Sequence, residues 1–85
     1  MTVFEKECEY LKLDKSEVQT IMKGLVKYSK MANKLGLQLF CGTGLQLRQA
    51  YTYRKSIVVA YDGTIKCDGG DGSYKEDEEG LLRGE

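Results

Sequence analysis

The chain has 85 residues, and its 13 Lys and Arg balance 13 Asp and Glu, so the formal net charge is zero. A chain of this length folds as one domain and buries only about 60–65% of its unfolded surface. That limit excludes a multi-domain or cofactor-rich enzyme. Hydrophobic residues form 41% of the sequence, which favours a folded globular domain over a disordered one.

Histidine is absent, and the three cysteines, Cys8, Cys41 and Cys67, form no C-x-x-C pair. The commonest general base and the commonest metal ligand are therefore missing. We expect no cofactor, no metal site and no catalytic residue, with the cysteines as reduced thiols of a cytoplasmic protein. The N-terminal residues become charged too early for a signal peptide, and the sequence has no 18-residue apolar run, so we expect no contact with membranes.

A short first helix is predicted from residue 2 to about residue 12. Thr2 and Glu5 have the spacing of a capping box, in which a hydroxyl and a carboxylate satisfy free amides at a helix start. Phe4, Cys8 and Leu11 then form a narrow apolar stripe.

A long amphipathic helix is predicted from about Ser16 to Leu35. Asp14 and Ser16 provide start signals, and the apolar residues that follow recur with the helical period. Gly36 stands where a left-handed C-cap is expected.

After Gly36 the apolar period changes from 3.6 to 2, which predicts an antiparallel meander of three or four strands. The first turn is at residues 42–44, and Asp62-Gly63 is a strong signal for a further hairpin. The predicted strands are 37–41, 45–54, 56–61 and 64–67.

Residues 68–85 are rich in Gly and acidic side chains and offer few apolar anchors. Such a segment buries too little to offset its ordering entropy, so we expect a mobile or loosely docked acidic tail after a single domain of residues 1–67. The predicted fold class is α+β, with a short and a long helix packed on the meander. An uncovered sheet edge would allow a homodimer.

The charges are segregated along the chain. Residues 10–55 sum to +7, residues 1–9 to −2 and residues 61–85 to −5. Four lysines of the long helix recur within about 60° of arc around its axis. We call Lys23, Lys27, Lys30 and Lys34 the lysine ridge. It predicts contact with phosphates, and the alternative is a solvated helix face that aids solubility.

A second cluster combines aromatic rings and cations on the second predicted strand. Tyr51 and Tyr53 would share one sheet face and stack on unpaired bases, while Arg48, Arg54 and Lys55 would reach phosphates. The alternative is that the two tyrosines pack at the edge of the core.

The acidic tail has an alternative to a merely solubilising role. It would fold back on the basic surface as a competitor, or present negative charge to a protein partner. The residues predicted for this role are Asp71, Glu76, Asp77, Glu78 and Glu79.

Three functional hypotheses follow from these patterns. The first is a small non-enzymatic protein that binds nucleic acid, with RNA or single-stranded DNA favoured over duplex readout because no base-reading helix pattern is present. The second is a protein-interaction module, such as an inhibitor or antitoxin-like regulator of a nucleic-acid-processing protein.

The third hypothesis comes from a family resemblance. The predicted helix pair followed by a meander, with the run from Tyr51 to Lys55, is loosely similar to bacterial messenger-cleaving toxins of the RelE kind. This resemblance implies a ribonuclease that works without His, and it assigns no individual residue.

Overall fold

The computed structural model describes residues 1–52 and 55–84. These residues form helices α1 (Glu5–Tyr10) and α2 (Lys15–Lys34) and strands β1 (Leu37–Cys41), β2 (Leu45–Gln49), β3 (Val58–Asp62), β4 (Tyr74–Glu76) and β5 (Leu82–Gly84). Helices together with antiparallel strands confirm the α+β class. The chain divides into two compact units, Met1–Leu25 with Gly70–Glu85, and Val26–Gly69. We call them the hairpin unit and the sheet unit.

Helix α1 begins at Glu5, and the predicted capping box is wrong. The residue before the helix is Phe4, in extended geometry, and the described residues supply no side-chain cap there. The ring of Phe4 instead packs edge-on against Tyr74, with 6.1 Å between centroids. An aromatic contact between distant parts of the chain, rather than a local hydroxyl, thus accompanies the helix start.

Helix α2 closely matches its predicted bounds. Asp14 Oδ1 accepts hydrogen bonds from the Ser16 amide and hydroxyl at 2.9 and 2.8 Å, which satisfies a free amide at the N-terminus. At the other end Gly36 adopts a φ of 75°, the left-handed conformation that ends a helix at low cost only with glycine. The predicted C-cap is therefore confirmed.

The sheet unit contains a three-stranded antiparallel meander in the order β1-β2-β3. Leu39 pairs with Leu47, and Leu47 pairs with Ala60. Leu37, Leu39, Leu45 and Leu47 therefore share one face, because side chains alternate along a strand. The register between β2 and β3 shifts at Leu47/Arg48.

Two strand predictions are wrong. Strand β2 ends at Gln49 instead of continuing to residue 54, because Tyr51 turns into the left-handed region at φ 61°. Residues 64–67, all described, form no strand. Asp62 Oδ1 accepts hydrogen bonds from the Thr64 amide at 2.8 Å and its hydroxyl at 2.6 Å, a local Asx turn that competes with strand pairing.

The hairpin unit shows that much of the predicted tail has secondary structure, so a mobile tail from residue 68 is not confirmed. Strands β4 and β5 pair antiparallel. The Leu82 amide donates to Glu7 Oε2 on α1 at 2.8 Å, and Lys6 Nζ donates to the Glu79 carbonyl at 3.2 Å. Cys8 and Leu81 are the buried apolar residues here, 7% and 5% exposed. That residues 1–67 form a single domain stays a prediction.

We predict that Leu81→Ala destabilises the protein by about 2–4 kcal/mol, because the change removes most of a buried leucine side chain and leaves a cavity. Urea unfolding followed by circular dichroism measures the loss. Leu35→Ala is the matched control, since Leu35 is 77% exposed and its truncation should change stability by less than about 0.5 kcal/mol. Equal effects of the two variants would contradict a docked hairpin.

Candidate nucleic-acid interface

The lysine ridge lies on α2, and all four of its side chains are exposed. The helical spacing of Lys23, Lys27, Lys30 and Lys34 gives a continuous positive strip. The four residues extend over about three helical turns, or roughly 17 Å of helix axis. The helix therefore has the linear arrangement that the sequence predicted.

The ridge carries little internal charge compensation. Within residues 1–52 and 55–84, neither of the ion pairs found, Lys15 with Glu5 and Arg83 with Asp77, includes a ridge lysine. Lys27 Nζ lies 5.6 Å from the centroid of the neighbouring Tyr28 ring, within the range of a cation–π contact. Lysines four apart repel each other by a few tenths of a kcal/mol per pair, so a polyanion would relieve an existing strain.

The other side of α2 faces an apolar groove in the sheet unit. The groove has a volume of about 320 Å³. Ala32 is buried, whereas Tyr28, Met31 and Leu35 remain more than half exposed. The lining residues are Tyr28, Met31, Ala32, Leu35, Leu37, Leu39, Leu45 and Leu47. Residues of α2, β1 and β2 therefore line one open apolar cleft.

The opposite face of the sheet carries a cationic and aromatic cluster. Arg48 Cζ lies 3.7 Å from the centroid of the Phe40 ring, and Arg48 Nε donates to Gln46 Oε1 at 2.6 Å. Tyr61 pairs with Gln46 across β2 and β3. These contacts orient the guanidinium plane, whose terminal nitrogens can donate to phosphate or base edges.

The sequence identified Arg48 but missed Phe40 and Tyr61. The available signal was the strand register: a hairpin with its turn at residues 42–44 places Phe40 opposite Gln46 and diagonal to Arg48.

Tyr51 does not lie on the strand that the sequence predicts for it. It lies beyond β2 and is 93% exposed, so its ring is a projecting loop side chain instead of part of a sheet surface. Lys55 is also exposed and has a φ of 53°. The predictions for Tyr53 and Arg54 lie outside the described residues.

Of the second predicted basic surface, the structure describes Arg48, Tyr51 and Lys55. Arg48 is on the sheet face turned away from the groove. The ridge is centred about 120° around the helix axis from the α2 residues that line the groove. The ridge and the Arg48 cluster are therefore separate surfaces, and the ridge is the more extended of the two.

Asp77 has a structural role inside the hairpin. Its Oδ2 accepts from Arg83 Nε at 2.6 Å, and its Oδ1 accepts from the amides of Glu79 and Leu81 at 2.8 and 2.9 Å. The hydrogen bond from Arg83, followed by those from the backbone amides, holds the pKa of this carboxyl below its ordinary value. Its charge is thus already matched within the hairpin.

The other acidic residues of the predicted partner surface differ in their surroundings. Asp71 Oδ1 accepts from the Ser73 amide and hydroxyl at 2.9 and 2.7 Å, bonds that lower its pKa. Glu76, Glu78 and Glu79 are exposed around the β4–β5 turn. The free negative charge of the hairpin is therefore concentrated at that turn.

Two kinds of site are not found in the described part of the chain. Across residues 1–52 and 55–84 no three His, Cys, Asp or Glu side chains are grouped so that they could hold a metal ion. No helix among the same residues has the length and apolar character needed to cross a membrane.

Comparison with known proteins finds no matching family model, no similar curated protein and no similar solved structure. The function proposed below therefore rests on the residues and geometry of this chain.

We predict that lowering the pH from 5 to 2 loosens the hairpin through protonation of Asp77. Because the folded-state pKa is depressed, the stabilisation is fully present above the unfolded pKa of about 4 and is lost as the pH falls through the folded value. Amide exchange at Leu81 measures the change. Asp77→Asn should remove this part of the pH dependence, whereas Glu78→Gln, at an exposed carboxylate of the same turn, should keep it. An unchanged pH profile in Asp77→Asn would contradict the assignment.

Proposed function

We propose that this protein is a small non-enzymatic binding protein that contacts the phosphate backbone of a nucleic acid through the lysine ridge. The observation that carries the proposal is the ridge itself: four exposed lysines aligned on one helix, without a carboxylate partner among the described residues. A polyanion would supply the missing negative charge and release its condensed counterions.

Single-stranded nucleic acid, RNA above all, is the favoured ligand. Lysine presents a point charge that follows a backbone without reading bases. The exposed rings of Tyr51 and Tyr61 and the oriented Arg48 guanidinium offer planar surfaces for unpaired bases. Because Arg48 and Tyr61 lie on the sheet face turned away from the groove, we assign the affinity mainly to the ridge.

A second candidate function is supported by the apolar groove. A cleft lined by eight apolar side chains suits an apolar protein segment better than a phosphate backbone. On this alternative the chain is a protein-interaction module, and the acidic β4–β5 turn would add electrostatic selectivity. Absence of RNA binding at low salt would favour this candidate.

We predict that replacing all four ridge lysines by Gln flattens the slope of log affinity against log salt by about three units for single-stranded RNA, because each lost phosphate contact removes about 0.7 units. Fluorescence anisotropy with a labelled RNA over a salt series measures both slopes. The RNA should also be recovered intact, since the proposal includes no cleavage.

The matched control removes the same charge elsewhere. The control variant has four exposed lysines outside the ridge changed to Gln, so its net charge equals that of the ridge variant. The four lysines are Lys12, Lys15, Lys66 and Lys75. The control variant should retain most of the wild-type slope. If the two variants lose the same slope, total charge and not the ridge controls binding, and the proposal is wrong.

We predict that Tyr51→Ala weakens binding to single-stranded RNA by about 5- to 150-fold, because base stacking contributes roughly 1–3 kcal/mol per base. The salt slope should not change, since stacking releases no counterions. Tyr51→Phe keeps the ring and should keep the affinity. Because Tyr51 is 93% exposed, unfolding curves of both variants should match the wild type. Wild-type affinity in Tyr51→Ala would remove this residue from the interface.

A further inference from the structure

Two of the three cysteines lie next to each other in the sheet unit. Cys41 is exposed at the end of β1, and Cys67 is partly exposed in the segment that follows β3. Both are free thiols. Their separation in sequence gives no C-x-x-C pattern, so only the folded chain reveals that they are neighbours.

The backbone around the two thiols shows why they meet. Strand β1 is an edge strand, with β2 on one side only. The segment after Cys67 passes beside the end of this strand: a Cβ placed on Gly69 would lie 3.5 Å from Gly42 Cα and 3.8 Å from the Cys41 carbonyl oxygen. These are ordinary van der Waals distances, so the chain two residues after Cys67 packs alongside the end of β1.

The two thiols also affect each other electrostatically. Hydrogen bonding to the Cys41 thiol, followed by desolvation, raises the pKa of the Cys67 thiol. Cys67 is thus held in the protonated form beside a more exposed neighbour. In contrast, Cys8 is buried in the hairpin unit and 7% exposed.

We propose that Cys41 and Cys67 form a reversible disulfide by exchange with a small-molecule disulfide such as oxidised glutathione. The site is distinct from the lysine ridge and does not depend on the function proposed above. The proposed redox modification lies where the segment after β3 passes beside the end of β1.

The exchange proceeds in two steps that balance. The exposed Cys41, as thiolate, attacks one sulfur of glutathione disulfide; a Cys41–glutathione bond forms, the glutathione S–S bond breaks, and one glutathione thiolate leaves. Cys67 then loses its proton and attacks the Cys41 sulfur, so that the Cys41–Cys67 bond forms and a second glutathione leaves. Two protein thiols are oxidised, and one glutathione disulfide is reduced to two glutathiones.

The disulfide would enclose residues 42–66, and with them β2 and β3, in a covalent loop. Such a loop reduces the conformational freedom of the unfolded chain. We expect the oxidised protein to unfold at a temperature at least about 5 °C higher than the reduced protein. The disulfide would therefore stabilise the sheet unit against unfolding under oxidising conditions.

The test uses the full-length protein in glutathione redox buffers, quenched with acid and mapped by mass spectrometry without reduction. The expected product is a single Cys41–Cys67 cross-link, with Cys8 alkylated only after denaturation. The native protein should oxidise with an equilibrium constant at least about tenfold larger than the same chain in urea, because folding holds the two thiols together.

Variants separate the roles of the three thiols. Cys8→Ser should form the cross-link as the wild type does. Cys67→Ser should stop at a glutathione adduct on Cys41, and its circular dichroism spectrum reports whether it is folded. A cross-link that includes Cys8, or glutathione on both Cys41 and Cys67 of the folded wild type without a link between them, would overturn the proposal.

Discussion

The constraint on which the structure depends is the two-sided character of α2. One flank of this helix must supply apolar side chains, because Leu25, Tyr28, Met31 and Ala32 recur on it, and another flank is occupied by lysines. Twenty residues of helix give about 30 Å of length, enough to contribute to both the hairpin unit and the sheet unit. The repulsion within the ridge is tolerated because the apolar flank, the Asp14 cap and Gly36 stabilise the same helix. A single element thus links the packing of the chain to its most basic surface.

The elements that could be predicted from the sequence are those whose determinants are local. Helix α2 has its period, its N-terminal Asp14 and its C-terminal Gly36 within a short stretch of chain. Strands β1 and β2 are joined by a short glycine-containing turn, so their pairing follows from neighbouring residues. The lysine ridge is equally local, because helical geometry alone aligns the four side chains. These features needed no knowledge of distant contacts.

The features that could not be predicted depend on residues far apart in sequence. The order of the C-terminal segment comes from the bond between the Leu82 amide and Glu7, and from the burial of Leu81 in the hairpin unit. Composition alone indicated a mobile tail, since glycines and acids usually bury little. The same holds for the approach of the segment after Cys67 to the end of β1. The left-handed turn at Tyr51, which ends β2, also had no signal, because a tyrosine rarely adopts positive φ.

The net charge of zero conceals a segregation of charge along the chain. At the acidic end, Asp77 is matched by Arg83 and by backbone amides, and Asp71 by Ser73. Part of the negative block therefore holds turns of the hairpin together. Among the described residues, no ridge lysine forms an ion pair with a carboxylate. A chain that is neutral by count thus presents a positive helix flank without carboxylate partners among the described residues, and this asymmetry is the basis for proposing a polyanion as its ligand.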